Sequence, residues 1–318
     1  MNASTNVTRG LGLLSLLSLF LHADIAQAQW ISTLSQDARD SILWSADHED
    51  ATLHQWQEPG VATENLSGGI LNTGDDVSAK ASTKLAHSGK YSVATTINNA
   101  FRAKNGNRAV RLMRWADKPW KDNGRDFPKS AYYSTWMLIP QSYNTNKYQP
   151  WDPGDGGWWI VFEFKAHDDQ NVSQTAWTLN AYHDDETGKL EFGLNFQRDG
   201  FKGYAQKKPL AVPIGEWFHV EAQYVVSSSE EGEIRVWQNG TKIFDIHDVK
   251  TAASKDREFA VWGLTNYTDH IVGGDKPGSA TIYFDDAIVS TKRVSKELTG
   301  NRLQSRHPSG QAVVGGVN

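Results

Sequence analysis

Two charged side chains interrupt the apolar run at 158–166, within the segment "WWIVFEFKAHDD" at residues 158 to 169. Glu163 and Lys165 are two positions apart, so on a β-strand they share one face. Trp158, Ile160, Phe162 and Phe164 are predicted to form the opposite face. A carboxylate beside an amine can bind a charged group or transfer a proton. The alternative is a solvent-facing ion pair, which contributes little to stability.

Short alternating segments separated by turns run through most of the chain, and helical patterns are scarce. This spacing predicts an all-β protein, a jelly-roll β-sandwich. An Asn-Gly turn at 238–241 predicts a hairpin. Residues 30 to 41 predict one turn or a short helix. The strands are expected at 90–97, 108–115, 131–140, 158–165, 176–183, 189–197, 217–226, 232–245, 258–264 and 280–290.

Two long connections, 116–130 and 141–157, are rich in Pro, Gly and aromatic residues. Connections of this length in a compact domain are usually functional or mobile. The segment from 296 to 318 has no periodicity and is predicted to be a disordered tail. No internal repeat is present, so we expect one domain over about 40–295.

The first 28 residues have the features of a secretory signal: a basic start, a short apolar stretch and the cleavage site Ala26-Gln27-Ala28. We therefore expect a secreted or periplasmic protein, with no later segment that spans a membrane. The chain has no cysteine, which excludes a thiol nucleophile and disulfides. Its net charge of -5 gives no support to nucleic-acid binding. We expect a monomer.

Several segments, in this order, resemble the concanavalin A-like jelly-roll polysaccharide lyases of the heparin-lyase and alginate-lyase type. They are "SADHEDATLHQW", "AHSGKYSV", "YYSTWMLIP", "WWIVFEFK", "GEWFHVEAQY", "GEIRVWQNGTKIFD" and "ATIYFDDAIVS". The resemblance spans residues 45 to 290 and is a distributed pattern rather than a sharp signature. It implies a jelly roll with long cleft loops and a polar cleft across one sheet. The alginate-lyase type carries a Gln-x-His pair where this chain has Glu163 and Lys165, which is a departure.

The resemblance also implies catalytic residues. "RAVRLMRW" corresponds to an Arg-rich strand, and Arg111 is the candidate to neutralise a uronate carboxylate, because Arg114 shares a face with Val110 and Leu112 and looks like core. Tyr267 is the candidate proton-transfer tyrosine, with His270 as a neighbouring alternative. Lys165 or His183 is expected to share the proton transfer.

Substrate-binding and metal-binding residues complete the predicted site. Glu163 and Asn266 are expected to contact the sugar, and aromatic residues in or beside the long loops to stack on it: Trp120, Tyr133, Trp151 and Trp159. Because related jelly rolls hold Ca²⁺ between their first and last strands, Asp47, Glu49 and Asp286 are candidate ligands of a structural calcium ion. No organic cofactor is expected.

The predicted function is a secreted polysaccharide lyase that cleaves a uronic-acid-containing polysaccharide by β-elimination. Two alternatives remain at the level of sequence. One is a carbohydrate-binding module of the same fold without catalysis. The other is a glycoside hydrolase with a carboxylate pair such as Glu163 with Glu191 or Glu221.

Overall fold

The computed structural model describes residues 30–56, 68–101, 108–115, 127–144, 151, 157–167, 173–184, 187–198, 200–255, 258, 260–273 and 278–298. Two antiparallel sheets make up most of this part of the chain. The first contains β1 (Ile42–Ala46), β3 (Val77–Ser82), β4 (Ser92–Ile97), β6 (Ser130–Leu138), β11 (Phe218–Val225), β12 (Gly232–Gln238), β13 (Thr241–Val249) and β15 (Ala280–Ser290). The second contains β2 (Gly68–Thr73), β5 (Ala109–Trp115), β7 (Trp158–His167), β8 (Ser173–His183), β9 (Leu190–Phe196), β10 (Lys202–Tyr204) and β14 (Val261–Tyr267).

The two sheets enclose one main hydrophobic core, as a jelly-roll sandwich requires. The eight-stranded sheet has the order β13-β12-β11-β6-β15-β4-β3, with β1 also paired to β15. The seven-stranded sheet has the order β10-β9-β8-β7-β14-β5-β2. Between them, the rings of Phe164 on β7 and Tyr224 on β11 stack with centroids 3.8 Å apart. The predicted fold class is thereby confirmed.

A bulge in β7 changes which of its side chains face the core. The register of β7 against β8 shifts between Ile160 and Phe162, so one extra residue lies on β7. Phe162 and Phe164 pack in the main core as predicted. Trp158 does not share their face as the uninterrupted alternation predicted, because its ring contacts Tyr267, which is paired with Ile160.

The segment before β1 covers part of the outer side of the eight-stranded sheet. It contains a 3₁₀ turn, Ile31–Thr33, and the helix α1 (Gln36–Asp40), which confirms the short helix predicted here. Ser35 caps α1 by accepting a hydrogen bond from the Ala38 backbone N–H at 3.3 Å. Trp30 and Ala38 pack with Trp136 in a second hydrophobic cluster.

Other sequence predictions have mixed outcomes. All ten predicted strand segments contain strands, and 232–245 forms the predicted hairpin, β12 and β13. The sequence did not predict β1, β2, β3 and β10. The predicted tail begins with a 3₁₀ turn, Ser295–Leu298. The signal segment, the rest of the tail and most of both long connections lie outside the described residues. In the described part, no helix is long and apolar enough to span a membrane.

Candidate active site

The seven-stranded sheet brings four of the predicted site residues to its outer face, the face opposite the core. Strand pairing aligns Thr265 of β14 with Arg111 of β5, and Gly263 of β14 with Glu163 of β7. Lys165 is two positions from Glu163 on β7, and Tyr267 is two positions from Thr265 on β14. Both therefore lie on the same face as these paired residues. We refer to Arg111, Glu163, Lys165 and Tyr267 as the polar group.

Glu163 lies at the centre of the polar group and is nearly inaccessible, with 1% of its side chain exposed. Its Oε1 accepts hydrogen bonds from Arg111 Nε at 2.8 Å and from Thr265 Oγ1 at 3.0 Å. Arg111 Nη1 also donates to Thr73 Oγ1 at 3.0 Å. These contacts fix the guanidinium in place and use two of its five N–H groups. The others remain for a carboxylate ligand.

Lys165 carries the amine of the polar group. Its Nζ lies 3.9 Å from Glu163 Oε2 and donates to Thr175 Oγ1 at 3.2 Å. Burial lowers the pKa of Lys165 below the ordinary range of a lysine; the Glu163 carboxylate raises it and the Arg111 guanidinium lowers it. A lysine in this state reaches its neutral, basic form at a lower pH than an exposed lysine.

Tyr267 lies on the other side of the Arg111–Glu163 pair. Its ring centroid is 5.5 Å from Arg111 Cζ and 4.8 Å from the ring of Trp158, edge to face. Burial raises the pKa of Tyr267, Asp269 raises it further, Arg111 opposes the shift and Glu163 adds to it. The phenol therefore keeps its proton at neutral pH. A lysine with a lowered pKa can act as a base, and a tyrosine with a raised pKa can act as an acid. Two such groups in one site are typical of an acid–base pair.

Beyond Lys165, β8 and β9 extend the outer face with uncharged polar side chains that the sequence reasoning did not identify. Thr178 is paired with Glu163, and Asn195 is paired with Thr178. Thr178 Oγ1 accepts from Asn180 Nδ2 at 2.8 Å and from Gln197 Nε2 at 3.1 Å. Amide and hydroxyl side chains form no motif that can be recognised in a single sequence. Once the pairing of β7 with β8 is known, side-chain alternation along β8 and β9 shows which of their residues share the face of Glu163.

Several predicted site residues do not reach this face. Neighbouring residues on a strand face opposite ways, so His183 lies opposite Tyr182, stacked on Trp151 with centroids 6.3 Å apart. The expectation that His183 joins the catalytic group is thus corrected. For the same reason Asn266 points inward: it donates to two backbone carbonyls and accepts from Trp159 Nε1 at 2.8 Å.

The predicted aromatic platforms are also corrected. Trp159 is fully buried, Trp151 is 5% exposed, and both pack inside the sandwich. Tyr133 belongs to the other sheet, fully buried, with its ring 5.2 Å from Phe164. Glu163 lies too deep for direct contact with a sugar and instead holds Arg111. Trp120 lies outside the described residues.

The hydrolase pairs are not formed. Glu221 lies on β11 of the other sheet, where it is buried and accepts from Arg293 and from the backbone and side chain of Ser295. Glu191 lies on the second sheet but is paired with Tyr182, away from Glu163. With Glu163 bound to Arg111, no two of these three carboxylates face one another.

Two of the three predicted metal ligands, Glu49 and Asp286, contact the loop at 87–91, whereas Asp47 accepts a hydrogen bond from Gln55 Nε2 at 2.9 Å. Glu49 Oε1 accepts from the backbone N–H groups of Lys90 and Tyr91 at 2.9 and 2.8 Å. Asp286 contacts His87 Nδ1 at 2.7 Å and accepts from Ser88 Oγ at 3.0 Å. Burial raises the pKa of Asp286 to about 7, and the charges of Asp47 and Glu49 add to that shift.

These hard oxygen donors are of the kind that Ca²⁺ prefers. In the described part of the chain, however, no group of three Asp, Glu or His side chains is placed to hold a metal ion. The donor set therefore fits calcium only if backbone carbonyls complete it. Calcium stays a prediction.

A family model described as polysaccharide lyase matches residues 44–287 of this chain. The chain belongs to the polysaccharide lyase family. This match covers both sheets and every member of the polar group, and it confirms the enzyme class expected from the sequence. No curated protein matches the chain.

Solved structures of similar architecture have low sequence identity to the chain. An endo-beta-1,4-glucuronan lyase from the fungus Trichoderma reesei is 15% identical, with a TM-score of 0.48 over 71% of this chain and 94% of that one. Alginate lyase vAL-1 from Chlorella virus is 14% identical, with a TM-score of 0.44 over 71% and 93%. The cellulose induced protein Cip1 is 14% identical, with a TM-score of 0.42 over 79% and 98%. The family assignment rests on the family model alone.

Proposed function

We propose that this polysaccharide lyase cleaves a uronic-acid-containing polysaccharide by β-elimination at the polar group. The observation that carries the proposal is the contact of one buried carboxylate, Glu163, with both Arg111 and Lys165. Lyase chemistry removes the proton on C5 of the sugar, which is weakly acidic until the resulting anion is stabilised. A carboxylate on C5 makes that stabilisation possible, and the fixed guanidinium donates hydrogen bonds to that carboxylate through its remaining N–H groups.

Each member of the polar group has a separate role in this reaction. Arg111 binds the uronate carboxylate through the N–H groups that Glu163 and Thr73 do not use. Lys165, as the neutral amine, takes the C5 proton, and the C5 electron pair forms the C4–C5 double bond as the C4–O bond breaks. Tyr267, which remains protonated, gives its proton to the leaving glycosidic oxygen. The products are an unsaturated uronate end and a new hydroxyl end.

Substitution of the two proton-transfer residues tests these roles. Lys165→Met and Tyr267→Phe are each expected to lower kcat on a responsive uronan by about a hundredfold or more, because each removes one proton-transfer partner. Binding of the polymer should be retained, since Arg111 keeps its anchors. The readouts are ultraviolet absorbance of the unsaturated product and retardation in polymer-containing native gels.

Lys242→Met and Tyr132→Phe, both on the eight-stranded sheet, are the matched controls and should turn over like the wild type. If the site variants keep wild-type turnover, the assignment of these roles is wrong. If neither the wild type nor the variants form unsaturated product while all of them bind the polymer, the chain is a binding module.

We also propose that the protein is exported after cleavage behind Ala28, that it is monomeric, and that it holds a structural Ca²⁺ near Asp286. The sequence of the first 28 residues supports export. The mass of the protein recovered from culture medium tests the cleavage site, and a mass that includes residues 1–28 would contradict it. Its elution from a calibrated sizing column tests the monomer.

A further inference from the structure

One large aromatic side chain is strongly exposed at the far end of the sheet that carries the polar group. Phe201, just before β10, is 71% exposed, against 41% for Phe101 and 37% for Leu43, the other exposed large apolar residues in the described ranges. Exposing a phenylalanine to this extent forgoes the hydrophobic stabilisation that burial would give. An exposed aromatic ring on this sheet is available to stack on a ligand.

The register of the sheet places Phe201 on the same face as the polar group. Glu163, Thr178, Asn195 and Gly203 are paired in succession across β7, β8, β9 and β10, so they form one row perpendicular to the strands. A Cβ added to Gly203 would lie 3.5 Å from Asn195 Oδ1 and 3.6 Å from Cε1 of Phe201. The ring of Phe201 thus lies on the outer face, at the end of this row.

The surface between Glu163 and Phe201 is suited to a sugar chain rather than to an apolar partner. Its side chains carry hydroxyl and amide groups: Gln197 is exposed, whereas Thr178 and Asn195 are only 1% and 5% exposed. Asn195 Nδ2 donates to Tyr182 Oη at 2.5 Å. Hydroxyls and amides are donors and acceptors that match sugar hydroxyls. A protein or lipid partner on Phe201 would need further apolar surface, and the row does not provide it.

The Tyr182 ring lies so close to β9 that the residue facing it, Gly193, has no room for a side chain. A Cβ added to Gly193 would lie 2.6 Å from Tyr182 Cε2. The ring therefore lies against β9 at Gly193, on the face of the row. Tyr182 and Phe201 offer two aromatic rings on the same side of the polar group, spaced along the direction of the row.

We propose that Phe201 is a stacking platform for a distal sugar ring of the polysaccharide that is cleaved at the polar group. Strands are about 4.8 Å apart, and β10 is three strand spacings from β7, so the ring lies roughly 14 Å from the row position of Glu163. That is far beyond one sugar unit. The subsite takes a unit that does not react, and it makes the enzyme favour long chains and internal bonds. This inference rests on the proposed function, because it assumes that the chain is cut at the polar group.

The test compares Phe201→Ala with the wild type on a uronan hexamer and on the trimer of the same sugar. The trimer is too short to reach from the polar group to Phe201. Loss of an aromatic stacking contact is expected to lower the ratio of kcat/KM for hexamer over trimer by about tenfold. Phe201→Trp should restore the ratio. Leu43→Ala, an equally apolar surface truncation on the other sheet, is the control and should leave the ratio as in the wild type.

Two outcomes would overturn the subsite. One is an unchanged ratio in Phe201→Ala, and the other is an equal fall on both oligomers. Failure of the proposed function gives a different result, since the wild type would then form no unsaturated product from any uronan. In that case hexamer binding by Phe201→Ala and by wild type, measured by calorimetry, still decides whether Phe201 contacts sugar: equal affinities overturn the subsite, and a loss of about tenfold supports it.

Discussion

At the scale of single residues, the two oxygens of Glu163 have different partners. Oε1 holds Arg111 and Thr265, while Oε2 faces Lys165 at 3.9 Å. A negative charge in a site for a polyanion is unfavourable unless it is neutralised. Here the pairing with Arg111 neutralises it and fixes the guanidinium, which is what positioning of a carboxylate ligand requires. Glu163 is therefore a positioning residue.

The pH dependence of the reaction follows from these contacts. Activity should rise with pH as Lys165 loses its proton, and Glu163 raises the pKa of Lys165. In Glu163→Gln that contribution is lost, so Lys165 becomes neutral at a lower pH and the rising limb of kcat/KM shifts to lower pH. The plateau should also fall about tenfold or more, because Arg111 loses a charge-assisted hydrogen bond.

Glu191→Gln is the matched control for that experiment. Glu191 lies on the same sheet, two strands from Glu163, and the same change removes one carboxylate charge. Its pH profile should follow the wild type. A Glu163→Gln profile whose rising limb stays in place or shifts to higher pH would contradict the role of Lys165 as base.

At the scale of elements, the alternation of side chains along a strand predicts most of the candidate site. The bulge in β7 explains why the predicted face of Trp158 was wrong. Lys165 and Glu163 were predicted together because the segment after the bulge in β7 alternates regularly. Trp158 was predicted to share a face with Phe162 and Phe164, and the extra residue before Phe162 reverses that. A bulge has no signature in one sequence, since it depends on the partner strand.

The alternation rule would have excluded two predicted residues. Asn266 adjoins Tyr267 and His183 adjoins Tyr182, so neither could share the face of its neighbour. Tyr133 could not be excluded in this way, because the sequence does not reveal which of the two sheets a strand joins. Phe201 was missed because the three-residue strand β10 is too short to show periodicity.

The loop at 87–91 gives a prediction at the same scale. Gly89 has φ +60°, and an added Cβ would lie 2.4 Å from the carboxyl carbon of Glu49. Gly89→Ala should therefore lower the free energy of unfolding by the ~1–2 kcal/mol cost of a left-handed alanine. Displacing Glu49 adds roughly 1–3 kcal/mol of overpacking. Urea denaturation of Gly89→Ala and of the wild type measures this loss of stability.

Gly278→Ala separates the two contributions. Gly278 has φ +70°, close to that of Gly89, but its added Cβ would meet nothing nearer than 3.8 Å. This variant should show the backbone cost alone. Equal destabilisation of the two variants would mean that Glu49 moves away freely and does not hold the loop.

At the scale of the whole molecule, the two sheets have different tasks. The seven-stranded sheet carries the polar group and the row that leads to Phe201. The eight-stranded sheet carries the second hydrophobic cluster and, at the junction of β1 and β15, the acidic side chains near the loop at 87–91. Sequence composition and strand spacing predicted the sandwich, because one apolar face per strand is what two packed sheets need.

Calcium binding would join the ends of the sandwich in the absence of disulfides. If Ca²⁺ binds near Asp286, millimolar calcium should raise Tm by several degrees over protein in a chelator, because a ligand that binds only the folded state stabilises it. Asp286→Asn should lose that increase. A wild-type Tm that is the same in calcium and in chelator would contradict the site.

The central claim is that the polar group performs β-elimination on a uronate. Its most direct test is ultraviolet absorbance of the wild-type protein incubated with alginates, glucuronan, heparin-type glycans, hyaluronan and pectate. We expect a rise in absorbance from the C4–C5 double bond with at least one of these polysaccharides, and we expect Lys165→Met to abolish that rise. A flat trace on every uronan, with new reducing ends appearing instead, would contradict it and indicate hydrolysis.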